Sequence, residues 1–203
     1  LDILKSMGAE IVPFSPLRDK ELPAVHGLLF GGGFPEMFVG ELANNVTMRQ
    51  SIYEACKNDL PIYAECGGFM YLTREIVDFD GQHYEMVGAI PATSSMQSKL
   101  QTVGYVEATA LIDNVLCDAG HSIRGHEFHF SVMNVDECSD SFPWAFEFKK
   151  ARTGAVYPGG YAQGNLLASY LHMHFAGNEQ TARHFISKCR EAKIAGLKIP
   201  RGE

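Results

Sequence analysis

The chain has 203 residues, 46% of them hydrophobic and 20% charged, which suits one α/β domain with a full core and excludes a disordered protein. Its 24 acidic residues outnumber 17 basic ones, for a net charge of −7, and no basic cluster stands out. Nucleic acid and anionic membrane are therefore set aside as partners, and no apolar run approaches the roughly 18 residues of a membrane span.

Leu1, Leu4 and Met7 share one face of a short helix that stops at Gly8. The chain opens in helical spacing without a methionine, so it is expected to be a piece of a longer polypeptide. Residues 9–14 read as a short apolar strand, and residues 25–30 as a second that ends in Gly31-Gly32-Gly33. Helical patterns cover 35–43 and 47–57, with Thr47 as N-cap. Residues 61–65 form the third strand, followed by Cys66 and a helix from Gly67 to about Glu75. Short buried strands alternating with helices predict a mostly parallel sheet covered on both faces.

Beyond Phe79 the texture changes. Asp80-Gly81 signals a hairpin between apolar flanks. Residues 101–133 and 144–148 read as strands, and 154–163, with Pro158-Gly159-Gly160, as a hairpin or tight turn. Residues 166–175 form an apolar strand ending at His172 and His174, which then share a face. The last helix covers 179–192, and the tail from Gly196 is expected to fray.

The five cysteines (Cys56, Cys66, Cys117, Cys138 and Cys189) are odd in number, widely spaced and without a C-x-x-C pair. That is the usage of a reduced, cytoplasmic chain rather than a disulfide scaffold or structural zinc site. Cys66 stands apart. A strand runs into it and two glycines lead from it into a helix, which puts a thiol on a sharp turn at the positive end of a helix dipole. Three strand ends then converge if the sheet is parallel: the Gly31–Gly33 loop, Cys66 and His172. An imidazole can deprotonate the thiol and shuttle its proton. Backbone N–H groups of Gly32, Gly33 and Gly67 can hold an oxyanion. No Gly-Lys-Ser/Thr follows the glycines, so a phosphate loop is not supported. His126-Glu127-Phe128-His129 is one residue short of H-E-x-x-H. A His-x-His pair with Glu127 or His129 offers a metal alternative, but thiol chemistry needs none and no metal is expected.

Five segments in order carry a resemblance: Phe14-Ser15-Pro16-Leu17-Arg18-Asp19, Gly31-Gly32-Gly33-Phe34-Pro35-Glu36, Ala64-Glu65-Cys66-Gly67-Gly68, Arg124-Gly125-His126-Glu127-Phe128-His129 and Ser169-Tyr170-Leu171-His172-Met173-His174-Phe175. The chain resembles the C-terminal glutamine amidotransferase domain of cobyrinic acid a,c-diamide synthases. The resemblance implies a class I glutamine amidotransferase-like (flavodoxin-like) α/β fold with extra β-hairpins. It also implies that a first strand, ahead of Leu1, is missing. Residues 1–203 then make one glutaminase domain, with Cys66 as nucleophile and His172 as its partner. Gly32, Gly33 and Gly67 would serve the oxyanion and glutamine, and Glu127, His129 and His174 the substrate side or the orientation of the base.

The resemblance further implies glutamine as substrate, no cofactor in this domain, and ATP and magnesium in an N-terminal synthetase domain that also binds the corrin precursor. Many class I amidotransferases carry glutamate two residues after the histidine. Here that residue is His174, so a Cys–His dyad is expected and a third member is unassigned. The acceptor could equally be hydrogenobyrinate or a nickel-sirohydrochlorin. A stand-alone cysteine hydrolase or peptidase of related fold, and a binding module with a vestigial site, are the readings from other classes.

Overall fold

The structure, a computed structural model, describes residues 1–135 and 142–197. Cys138 and the tail from 198 onward lie outside the described residues. The elements run α1 (Asp2–Ser6), β1 (Leu28–Phe30), α2 (Val39–Asn44), α3 (Val46–Lys57), β2 (Ile62–Glu65), α4 (Gly67–Leu72), β3 (Thr73–Val77), β4 (His83–Glu85), β5 (Ile90–Met96), β6 (Thr102–Ala110), β7 (Ser122–His129), β8 (Ser131–Val135), β9 (Trp144–Lys150), β10 (Val156–Gln163), β11 (Leu166–Ser169) and α5 (Glu179–Ile194). Among the described residues, no helix is long and apolar enough to cross a membrane.

Among those residues the larger sheet has the order β1-β2-β11-β10-β9-β6-β7, and a smaller one the order β4-β3-β5-β8. Parallel pairing in the larger sheet is confined to β1-β2 and β2-β11. The strands from β10 to β7 pair antiparallel. The sheet also curls: His126, on the last strand of the order, pairs back with His172 just beyond β11.

Strand alternation sorts the buried side chains to two faces. Ile62 and Ala64 join a core with Met48 and Ile52 of α3 and Phe69 of α4, whereas Tyr63 and Leu167 join one with Phe185 of α5. The parallel strands are thus covered on both sides by helices, as the pattern predicted. Met48 and Ile52 are fully buried, and each contributes about 2 kcal/mol by leaving water.

Several elements differ from the sequence expectation. Residues 9–14 make no strand. β1 stands at the sheet edge, and the segment is held by packing instead: Ala9 and Ile11 against the α1–α5 cluster, and Phe14 edge-on to Phe30 at 5.5 Å. The cap of α3 is Asn45 rather than Thr47, and the Asn45 amide donates to Pro16 O and Asp19 O, pinning the preceding loop. The helix after Cys66 stops at Leu72, where Thr73 Oγ1 donates to Met70 O and the chain turns extended. Pro158-Gly159-Gly160 lies inside β10, not in a turn. Gly159 sits there because the Phe148 ring packs on it; a Cβ would come 2.4 Å from that ring. The turn itself is earlier, where Gly154 N–H donates to Lys150 O. At the end of α5, Gly196 and Leu197 N–H groups close the helix on Lys193 O and Ala192 O in a Schellman cap, and the rest of the tail expected to fray lies outside the described residues.

Candidate active site

The register of the parallel strands fixes where the chain emerges. Phe30 and Ala168 both pair with Ala64, and Ser169 pairs with Glu65. The glycine loop, Cys66 and the Tyr170–His172 segment therefore leave the sheet at one edge. Cys66 N–H donates to Ser169 O at 2.8 Å, which ties the thiol-bearing turn to β11. Cys66 has φ 44° and ψ −100°, a conformation that costs a residue with a side chain about 1–3 kcal/mol. A strained residue on a sharp strand-to-helix turn is the backbone geometry of a nucleophile elbow.

The two glycines after it have a packing cause. A Cβ on Gly67 would meet Gly33 O at 2.7 Å and Gly33 N at 2.9 Å, and one on Gly68 would meet Phe30 Cβ at 2.5 Å. The first turn of α4 thus lies directly on the glycine loop. A Cβ on Gly32 would come 2.8 Å from Cε1 of His172 and 3.8 Å from Cβ of Cys66. Loop, thiol and imidazole are brought to one place.

Strand β7 forms the wall opposite. His126 and His172 exchange two backbone hydrogen bonds, at 3.0 and 2.8 Å, and their rings stack at 5.0 Å. The Cys66 thiol donates to Phe128 O at 3.8 Å. No hydrogen bond joins Cys66 to His172 among the described residues. His172 Nδ1 lies 3.9 Å from Glu65 Oε2.

Burial pushes the Cys66 thiol up to about 11, against the Gly67 N–H that favours the thiolate, and Glu36, Glu65 and Glu127 push it the same way as burial. The stabilised thiolate expected from the helix dipole is thus not the resting state. α4 is only six residues long, and burial of the sulfur, with smaller pushes from the three carboxylates, outweighs the N–H at its start. The His172 imidazole is held below its ordinary value by burial and then by His126 and His129, with Glu127 pulling the other way. Both shifts favour a neutral thiol and a neutral imidazole, the pair that general-base activation requires.

The other expected residues divide. Glu127 is buried and accepts a hydrogen bond from the Tyr157 hydroxyl. His129 Nε2 lies 3.8 Å from Glu127 Oε1, and its ring stacks on Tyr170 at 3.9 Å. His174 is exposed, and with β11 ending at Ser169 it does not share a strand face with His172. No group of three His, Cys, Asp or Glu side chains among the described residues is arranged to hold a metal. Three contributors escaped the sequence reading: Glu65, Tyr63 and the Phe128 carbonyl. Glu65 and Tyr63 were signalled by their i, i+2 spacing on the strand that ends at Cys66. The carbonyl left no trace in the sequence.

Residues 1–180 match the CobB/CobQ-like glutamine amidotransferase domain. The chain belongs to this family. It is 44% identical over 192 residues to a cobyrinate a,c-diamide synthase of Synechococcus, with 94% of this chain and 41% of that protein covered. It is 43% identical over 195 residues to the cobyrinate a,c-diamide synthase of Streptococcus sanguinis, with 95% and 42% covered. The chain thus spans about two fifths of the length of these relatives. A crystal structure titled as a glutamine amidotransferase superposes with a TM-score of 0.60 at 20% identity, covering 93% of this chain and 91% of the other. The fold is therefore the class I glutamine amidotransferase α/β fold, and the chain is a glutamine amidotransferase domain.

Proposed function

We propose that the domain hydrolyses glutamine at Cys66 and passes the ammonia to an ATP-dependent synthetase domain of the same protein. Glutamine enters beside the glycine loop. His172 takes the thiol proton as Sγ attacks the side-chain carboxamide carbon, and the oxyanion forms against N–H groups of Gly32, Gly33 and Gly67. Collapse breaks the carbon–nitrogen bond. His172 returns the proton to the departing ammonia, then draws one from water that hydrolyses the thioester. Glu127 and His129 line the β7 side and shape the substrate end; the exposed His174 is left outside the reaction. The ammonia amidates the a and c carboxylates of cobyrinic acid, with ATP and magnesium used in the synthetase domain, in the cytoplasm.

One observation carries this reading: Gly32 lies against both the His172 ring and Cys66, at the common edge of three parallel strands. The names of the relatives support the acceptor. The test is glutamate release by the parent and by Cys66→Ala. Cys66→Ala is expected to lose at least ~10³-fold in kcat. In the full-length protein it should keep ammonia-driven synthesis. Glutamine hydrolysis at the parent rate by Cys66→Ala would refute the nucleophile.

A further inference from the structure

Three carboxylates act on the site, Glu36, Glu65 and Glu127. Among the described residues, Glu65 is the one whose oxygen lies within ion-pair distance of the His172 ring, with Oε2 3.9 Å from Nδ1. Glu127 instead accepts from Tyr157 and neighbours His129. We propose that Glu65 is the positioning residue of His172, an inference that rests on the glutaminase reading above.

The fold fixes Glu65 from both ends. It is the last residue of β2, one before the strained Cys66, so its backbone is set by the same register that sets the thiol. Tyr63 lies two residues earlier and faces the same side by strand alternation. The Tyr63 hydroxyl, on a side chain that is almost wholly buried, donates to Glu65 Oε1 at 2.6 Å. Met173 N–H approaches the same oxygen at 3.5 Å. With Oε1 engaged, Oε2 is the oxygen presented to the imidazole.

The chemistry follows from that division. A neutral imidazole that carries its proton on Nδ1, toward Oε2, leaves Nε2 unprotonated as the base. When Nε2 takes the thiol proton, the new imidazolium faces a carboxylate instead of two neighbouring imidazoles alone. The sulfur–carbon bond forms, the carbon–nitrogen bond breaks, and the proton passes from Nε2 to the leaving nitrogen. Glu65 gains and loses nothing over the cycle. At 3.9 Å the contact is too long for a hydrogen bond and becomes an ion pair only when the ring is protonated; closing it takes about 1 Å of ring movement, the usual tightening of a substrate-free site. Burial raises the Glu65 carboxyl from its ordinary value while the Tyr63 and Met173 bonds oppose the rise. In this geometry the carboxylate that pulls His172 upward is Glu127, and the pull of Glu65 develops as the 3.9 Å contact closes.

The test reads the His172 ring by ¹⁵N NMR in the parent, Glu65→Gln and Tyr63→Phe, beside glutaminase kinetics. The parent is expected to show the Nδ1-protonated tautomer. Glu65→Gln should depopulate that tautomer, move the ring titration to lower pH, and reduce kcat ~10–100-fold with KM changed less than ~3-fold. Tyr63→Phe keeps the carboxylate and should shift the same readouts in the same direction by less. A ring whose tautomer and titration are the same in Glu65→Gln as in the parent overturns the proposal, and so does an unchanged kcat. The tautomer is read without turnover, so it judges Glu65 even if glutamine proves not to be the substrate; Cys66→Ala judges that separately.

Discussion

The parallel and antiparallel parts of the large sheet contribute to the site in different ways. The three parallel strands deliver their groups from strand ends: the glycine loop, the thiol and the imidazole. Backbones meet there, and Gly32, Gly67 and Gly68 fill positions where a Cβ would strike a neighbour within 3 Å. The antiparallel part contributes from within a strand. β7 closes the curled sheet onto His172 and brings His126, Glu127 and the Phe128 carbonyl to bear as three consecutive residues. The first part holds the thiol and the imidazole, and the second adds to the burial that sets their proton affinities. The same fold can therefore keep its elbow while its β7 wall is retuned.

That division can be broken at its strongest point by Gly67→Ala. The added methyl would press on Gly33 backbone atoms that cannot rotate away. A loss of about 1–3 kcal/mol in unfolding free energy is expected, with glutaminase falling further than the stability change explains. Full activity in this variant would mean that the loop and elbow are not held against one another. His126→Ala sharpens the role of the wall. His126 holds the His172 imidazole down, so its removal raises the base, and the acid limb of kcat/KM, which should lie below pH 6.5 in the parent, moves to higher pH. An acid limb that stays put assigns the tuning elsewhere. The smallest effect is expected far from both parts. His83→Ala removes an exposed contact to Glu75 in the smaller sheet and should change stability by less than about 0.5 kcal/mol and leave kcat alone.

The same contrast explains what the sequence made legible. Strand ends are punctuated locally. The apolar run into Cys66 and the glycines after it show the elbow in ten residues, and Gly31–Gly33 and His172 are visible in the same way. Residues 9–14 hold four apolar residues around Glu10 and Pro13, but whether a run becomes a strand depends on a neighbour to pair with, which no local pattern reveals. Pro158-Gly159-Gly160 has turn chemistry and lies in β10 because the Phe148 ring needs the space over Gly159. The wall was least legible. His126 meets His172, 46 positions further along the chain, through the curl of the sheet, and the Phe128 carbonyl belongs to no residue type. The thiol's proton affinity was misjudged for a related reason. The helix end is local, whereas the burial that outweighs it, and the smaller pushes of Glu36, Glu65 and Glu127, come from separate segments.

The most direct test of the central claim is covalent trapping with a diazoketone analogue of glutamine, followed by peptide mass spectrometry. One adduct per chain is expected, on Cys66, blocked by excess glutamine, with Cys56, Cys117 and Cys189 unmodified. An adduct on another residue, or labelling of Cys66 that glutamine does not slow, would contradict a glutaminase site at the elbow.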